Sequence, residues 1–367
     1  MFTVKKEIIY FDSAAAAQPD EEDVKFFAKS LAEDFANQEA AHSSGYRLRK
    51  RIAESGERFS AALTGSSHWI PLWCSGGTEA FNLFAACAGD RKIHAVSSRM
   101  EHPALIAALK RLDPGLHLLK AVPETGKLVP EKGGWNLAAF HFVQSETGAL
   151  QEPEKLFDCY PEAIHLLDAV QGACKLEIPP ANTHILAVSG NKFGAPGCAA
   201  LLLNPDWKGA DAFAARAVAA RRSGYLTGRV LPAAVFTCAY VAEKRRRSLE
   251  EKRKETVRLN KMIREACPQL GLIPTLPLEH TSPYILHLRA PGFQGGVLVR
   301  MLSEEGVMLS SGSACASETD EPSPALTALG FGRRDAFSGL RISFGFHSTA
   351  DEVKKMLSSL EKVLKKY

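Results

Sequence analysis

Four groups in the chain stand where an α/β protein presents residues to a ligand. Ser75-Gly76-Gly77-Thr78-Glu79-Ala80 follows the apolar run Ile70–Cys74 and opens a helical stretch around Phe81–Cys87. Gly77 and Thr78 thus bring free backbone N–H groups to a helix N-terminus, a turn that suits a phosphate. The turn fits neither the dinucleotide fingerprint nor the P-loop spacing, which disfavours NAD and ATP. Alone it reads equally well as a tight strand-to-helix connection. Asp168 ends the run Ile164–Leu167 in Asp168-Ala169-Val170-Gln171-Gly172. A carboxylate there needs a cationic or donor partner, or serves as a cap. Lys192 lies in Ser189-Gly190-Asn191-Lys192-Phe193-Gly194, after the run Ile185–Val188. A lysine in such small, turn-forming company can carry a desolvated amine able to form a Schiff base, although most lysines are surface groups. His102 stands in Glu101-His102-Pro103-Ala104.

Taken in order, phosphate turn, histidine, Asp168 with Gln171, and Lys192 are the parts of a pyridoxal 5'-phosphate (PLP) site: an anion cradle, a ring-stacking face, a carboxylate for the ring nitrogen, a donor to the ring hydroxyl and the lysine.

The elements that must position them alternate. Short apolar runs at Ile8–Phe11, Ile70–Cys74, Ile93–Val96, Leu116–Leu119, Leu137–Val143, Ile164–Leu167, Ile185–Val188 and Ala199–Leu203 recur between segments of helical spacing, which predicts an α/β fold with a mostly parallel sheet. Beyond about Leu231 a long charged helical stretch runs through Ala266, and Pro274–Pro283 then introduces shorter elements. The division expected is a large domain over 13–245 and a small C-terminal α+β domain over 246–367, with 1–12 packed on the latter. The basic run Lys244–Arg247, close to Glu250 and Glu251, reads as a solvated helix face.

Composition bounds the function. With 45 Lys and Arg against 41 Asp and Glu over 367 residues, the net charge of +4 argues against a nucleic-acid binder or a polybasic membrane anchor. The N-terminus lacks a secretory pattern, and no segment has the roughly 20 apolar residues of a membrane span, so a cytoplasmic protein is expected. The eight cysteines include no pair with zinc spacing, and no metal site is expected. Several, Cys74, Cys87 and Cys198 among them, sit in apolar company and read as small buried hydrophobes. Cys315, in Ser310-Ser311-Gly312-Ser313-Ala314-Cys315-Ala316-Ser317, does not.

The chain resembles the fold-type I, class V aminotransferase superfamily and, within it, the cysteine desulfurases. The resemblance is carried by Ile9–Ala15, Asn37–His42 with Gly45 and Arg47, Ser75–Asn82, Glu101–Ala104, Glu146-Thr147-Gly148, Asp168–Gly172 and Lys192–Gly197. The cysteine segment, continuing through Glu321-Pro322-Ser323 to Gly330, is similar to the long catalytic-cysteine loop of one desulfurase group. Leu340-Arg341-Ile342-Ser343-Phe344 resembles the strand whose arginine clamps the substrate carboxylate.

The resemblance implies conversion of L-cysteine to L-alanine. Lys192 would carry PLP and move the α-proton, His102 would shuttle a proton, and Cys315 would take the sulfur as a persulfide for a reductant, a scaffold protein or iron–sulfur cluster assembly. Gly77, Thr78, His102, Asp168, Gln171, Ser189, Asn191 and Lys192 would hold the cofactor, and Arg341 and Ser145 the substrate. Arg222-Ser223-Gly224 resembles a loop that reaches the neighbouring subunit's phosphate site and implies a homodimer. Four positions depart from the pattern. Ser145 replaces an asparagine, Asn191 a histidine, Tyr225 a threonine and Phe346 an arginine, which predicts weaker or differently held PLP. Two alternatives remain open: another PLP-dependent lyase or aminotransferase, for example a selenocysteine lyase, and a degenerate binding subunit.

Overall fold

Apolar runs become strands wherever aliphatic residues stand between turn formers. In the computed structural model of the chain, residues 8–89, 92–222, 230–312 and 321–367 are described. The strands are β1 (Ile9–Tyr10), β2 (Ile70–Cys74), β3 (Ala95–Ser98), β4 (His117–Leu119), β5 (Leu137–His141), β6 (Ile164–Asp168), β7 (Ile185–Ser189), β8 (Ala199–Leu203), β9 (Ile273–Pro274), β10 (Ile285–Arg289), β11 (Val307–Met308) and β12 (Gly339–Ser343). Seven form one sheet in the order β2-β8-β7-β6-β5-β3-β4. β8 is antiparallel to both its neighbours and the other pairs are parallel, as the alternation predicted. Since β8 alone reverses, β2, β3, β5, β6 and β7 all end at one edge, where open α/β sheets bind ligands.

Both faces of this sheet are covered, so its central strands are mostly apolar, with polar residues such as His141, Asp168 and Ser189 at their ends. One face packs Phe140, Leu167, Leu186 and Leu202 against Leu48, Phe59, Val235 and Phe236 of helices Ser43–Thr64 and Pro232–Arg247. The other packs Ala139, Leu166 and Leu201 against Phe81, Phe84, Leu105 and Phe213 of helices Gly77–Cys87, Pro103–Leu112 and Ala210–Arg222. The strand expected at Ile93–Val96 runs instead over Ala95–Ser98. Its serines tolerate burial because Ser97 Oγ donates to Ala139 O and Ser98 Oγ to Glu101 Oε1, each at 2.7 Å.

A second, antiparallel sheet has the order β12-β10-β9, and β1 pairs in parallel with β11. Leu286, Leu288, Leu340 and Ile342 of this sheet form a core with Leu259, Leu298 and Met356 from helices Leu249–Ala266, Gly295–Glu304 and Ala350–Lys366. Phe11 joins that core, its ring edge-on to Phe344 at 5.6 Å.

The helical stretch expected from Leu231 to Ala266 is two helices that meet at Ser248 (φ −109°, ψ 11°). The first buries Val235, Phe236, Cys238 and Val241 against the large sheet's core, and the second carries Leu259 and Ile263 into the small sheet's core. One continuous helix could not follow both. The basic run is also corrected, for it is not simply a solvated face. Lys244 Nζ contacts Asp23 Oδ1 at 2.8 Å, and the buried Arg245 contacts Asp20 Oδ1 at 3.0 Å. Among the described residues no helix is long and apolar enough to cross a membrane.

Candidate active site

A cavity of about 590 Å³ opens at the edge where the parallel strands end. The register places His141 of β5 beside Asp168 of β6, and Asp168 beside Ala187 of β7. β7 then leads into a short 3-10 turn, Gly190–Lys192. Gly190 is required there, because a Cβ would run into the Ala195 carbonyl. Lys192 emerges into the cavity, and its Nζ donates to Ala15 O. The turn Ala14–Ala15 is held in turn by Gln171, whose Nε2 donates to Ala14 O at 2.9 Å.

Asp168 is buried on the cavity wall, and its Oδ1 accepts from Val170 N at 2.9 Å. Burial pushes its carboxyl up to about 7, with the Glu101 charge adding to the effect and His141 and Lys192 opposing it. The group is therefore costly to ionise until a cation arrives beside it. His102 caps the helix Pro103–Leu112, its Nδ1 accepting from Ala104 N at 3.1 Å. Burial, aided by the Lys192 charge, lowers the pKa of its imidazole. With Nδ1 an acceptor, the neutral ring carries its proton on Nε2.

The helix Gly77–Cys87 starts without a side-chain cap at Gly76, so N–H groups of its first turn are open to an anion. Glu79 folds back instead onto Ser75, accepting from its N–H at 2.7 Å. Ser189 is buried at the end of β7 with its Cβ 3.8 Å from the position a Cβ on Gly77 would take. Asn191 Oδ1 accepts from Gly197 N at 3.2 Å, which leaves its NH₂ group as the remaining polar function.

Arg341 reaches the same cavity from β12. It is no surface ion pair, since it is 2% exposed. Its Nη1 donates to Ser145 O at 3.0 Å and its Nη2 to Asp12 Oδ1 at 2.7 Å. Lys192, His102, Asp168, Gln171, Ser189, Asn191, Ser145, Arg341, Gly77 and Thr78 thus line one space. Cys315, Ser223, Gly224 and Tyr225 lie outside the described residues. Phe346 is buried, with the Arg245 guanidinium 4.1 Å from its ring centre.

Sequence reasoning overlooked two partners. Asp12 passed as part of the opening segment, yet it fixes Arg341. His141 was counted within an apolar run, although a histidine in a buried strand is itself a signal. Its Nδ1 lies 2.7 Å from Glu101 Oε1 and its Nε2 3.2 Å from Gln151 Nε2, and the pair stands next to Asp168.

The IscS 1 protein of Bacillus subtilis (strain 168) is 28% identical over 382 residues, covering 98% of this chain and 99% of that protein. A cysteine desulfurase of Trichormus azollae is 24% identical over 379 residues, covering 98% of this chain and 93% of its own. Among solved structures, a NifS-like protein superposes with a TM-score of 0.84 at 21% identity, over 98% of this chain and 100% of its own. The sequence model described as aminotransferase class-V matches residues 9–210 and 227–356, spanning both sheets and every described residue that lines the cavity, and the chain accordingly belongs to that family.

Proposed function

We propose that the chain is a PLP-dependent cysteine desulfurase that converts L-cysteine to L-alanine and takes the sulfur as a persulfide on Cys315. The observation that carries this reading is the convergence of Lys192, Asp168 and His102 on one cavity that Arg341 enters from the other sheet. The names of the relatives point the same way.

The cavity fits the cofactor on its own evidence. An uncapped helix N-terminus at Gly77 and Thr78 suits a phosphate, and Asp168 is a buried carboxyl whose pKa burial raises. Gln171 Oε1, on the same cavity wall, is buried without a hydrogen-bond partner among the described residues. Asp168 would face the ring nitrogen, Gln171 the ring hydroxyl, His102 the ring face, and Ser189 and Asn191 the phosphate side. When bound, PLP supplies an electron sink for charge developing at the substrate's α-carbon.

The chain's own groups account for the rest. Arg341 holds the α-carboxylate, a planar ion suited to its guanidinium, with the Ser145 carbonyl fixing the guanidinium's orientation. The Lys192 amine takes the α-proton, and His102 Nε2–H stands near the substrate thiol as a proton donor and acceptor. The Cys315 thiolate attacks the substrate sulfur: one S–S bond forms, the Cβ–S bond breaks, and the carbon fragment leaves as alanine after protonation. The persulfide then passes to a thiol. The reading includes a homodimer, on the resemblance of the stretch that begins at Arg222.

The test is to supply L-cysteine, PLP and a thiol reductant and to quantify alanine and sulfide beside Cys315→Ser. Equal amounts of both products, lost in the variant, are expected. A protein that binds PLP and yields neither product overturns the assignment.

A further inference from the structure

The turn that carries His102 connects β3 to the helix Pro103–Leu112, and it lies beyond the reach of the sheet's own hydrogen bonds. Backbone pairing between β3 and β5 ends at Val96 and Ala138. Side chains take over from there. Glu101 Oε1 meets His141 Nδ1 at 2.7 Å and accepts from Ser98 Oγ at the same distance. Ser98 Oγ also accepts from Met100 N at 3.2 Å, and Gln144 Nε2 donates to Met100 O at 3.1 Å.

His141 is fixed in its turn. Its Nε2 lies 3.2 Å from Gln151 Nε2. Two backbone groups set that amide, for Gln151 Oε1 accepts from Leu128 N at 3.0 Å and Nε2 donates to Gly126 O at 2.8 Å. The ladder between β5 and β6 then places His141 beside Asp168. A continuous path of short links thus runs from His102 through its neighbour Glu101 to His141 and on to Asp168, and the two ends of the path line one cavity.

This link is a poor choice for stability alone. Glu101 is buried, and its Oε2 has no hydrogen-bond partner among the described residues. An apolar side chain of similar volume would fill the place at lower cost. What the carboxylate adds is a single oxygen that receives both the turn's own hydroxyl and the imidazole of β5. The hydrogen bond from Ala104 N to His102 Nδ1 does not do the same task, since it orients the imidazole on its own helix and leaves the helix unplaced relative to β6.

We infer that Glu101 is a positioning residue that, through His141, holds His102 at a fixed distance from Asp168. This rests on the reading of the cavity as a PLP site, with His102 on the ring face and Asp168 at the ring nitrogen. Two groups that act on different parts of one rigid ring must keep their spacing, and a misplacement of about 1 Å costs on the order of 10²-fold in rate. Arg341 comes from the other sheet, so its hold on the substrate carboxylate is independent of this link.

The experiment uses PLP-loaded protein and three variants. His141→Leu breaks the link, His141→Asn keeps an amide donor near the Nδ1 position, and Glu101→Gln/His141→Leu breaks the link without leaving a buried charge unpaired. At saturating PLP, visible circular dichroism per mole of bound cofactor reports how the ring is held and needs no turnover. Rates of alanine formation give kcat and KM, and urea melts give stability. Expected in both variants that carry leucine are an altered cofactor band, a fall in kcat of roughly 10-fold or more and a KM for L-cysteine within about 3-fold of wild type. His141→Asn recovers most of the band and of kcat. The double variant regains stability but neither of these, and it carries the test if His141→Leu does not fold. A wild-type band and kcat in the double variant overturn the proposal, as do losses in His141→Asn equal to those in His141→Leu. If the wild type binds PLP but forms no alanine, the desulfurase reading fails and the cofactor band still decides the link. A wild type that binds no PLP overturns both.

Discussion

Asp12 and Arg341 form an ion pair, Oδ1 to Nη2 at 2.7 Å, that joins the start of the chain to the last strand at the mouth of the active-site cavity. The bridge between Asp12 and Ser343 lays the opening segment against β12, and the chain runs on through Ala14 and Ala15, which bind Gln171 and Lys192. One short stretch of chain therefore touches Arg341 and Lys192 together.

Arg341 uses two nitrogens on fixed partners, which sets the plane of its guanidinium before substrate arrives. A lysine could replace the charge but not the plane. Arg341→Lys is expected to raise KM for L-cysteine by about 10- to 100-fold, the range for a charge-assisted hydrogen bond, with PLP absorbance retained. Initial rates against L-cysteine concentration check it, and an unchanged KM would remove Arg341 from the substrate site.

Asp168 carries a stability cost that cofactor-free protein should reveal. Its folded pKa, about 7, lies above the unfolded carboxylate value of about 3.9, so its stability contribution is fully present below about pH 4 and is lost as pH rises through 7. Cofactor-free Asp168→Asn is accordingly expected to be more stable than wild type at pH 8, by roughly 2–4 kcal/mol, and to show little difference near pH 4. Denaturant melts at the two pH values measure this. The loaded variant should lose on the order of 10²-fold or more in kcat, because a neutral amide cannot balance a cationic ring nitrogen.

Gly190 ties the fold to the chemistry two residues before Lys192. A methyl group at this position meets the Ala195 carbonyl, and the Cys198 carbonyl stands 3.0 Å away, both of them backbone atoms with little room to give. Gly190→Ala should cost about 1–3 kcal/mol through overpacking and displace the lysine. The expected signature is reduced PLP uptake at saturating cofactor together with a lower Tm. A variant with wild-type uptake would show that the turn has slack.

These relationships differ in how far the sequence reveals them. Asp168 and Lys192 were legible because each follows an apolar run, and runs of that kind end where a parallel sheet presents its ligands. The break at Ser248 was not, since a charged helical pattern continues across it and only the change of packing partner ends the first helix. Lys244 and Arg245 looked solvated for a related reason: their partners Asp20 and Asp23 lie more than 200 residues earlier, beyond any local pattern. Arg341 was legible through resemblance alone, and nothing in its own neighbours announced Asp12.

The Glu101–His141 pair shows the same limit inside the site and yields the last prediction. Glu101 Oε1 is engaged twice, by His141 Nδ1 and by Ser98 Oγ, each at 2.7 Å, while Oε2 is buried without a hydrogen-bond partner among the described residues. Removing the histidine leaves a buried carboxylate with one hydroxyl donor, the situation in which breaking a buried pair costs about 3–5 kcal/mol. His141→Leu should therefore destabilise the protein by that order, whereas the double variant Glu101→Gln/His141→Leu should recover part of the loss, because no charge is left unpaired. The pair also stands beside Asp168, whose carboxyl the Glu101 charge raises and His141 lowers. His141→Leu should then raise the Asp168 pKa further in cofactor-free protein and weaken PLP binding, with the double variant reversing the shift. Urea melts and PLP titrations on the single and double variants decide it: equal losses in both would mean that the pair is held by packing and not by charge.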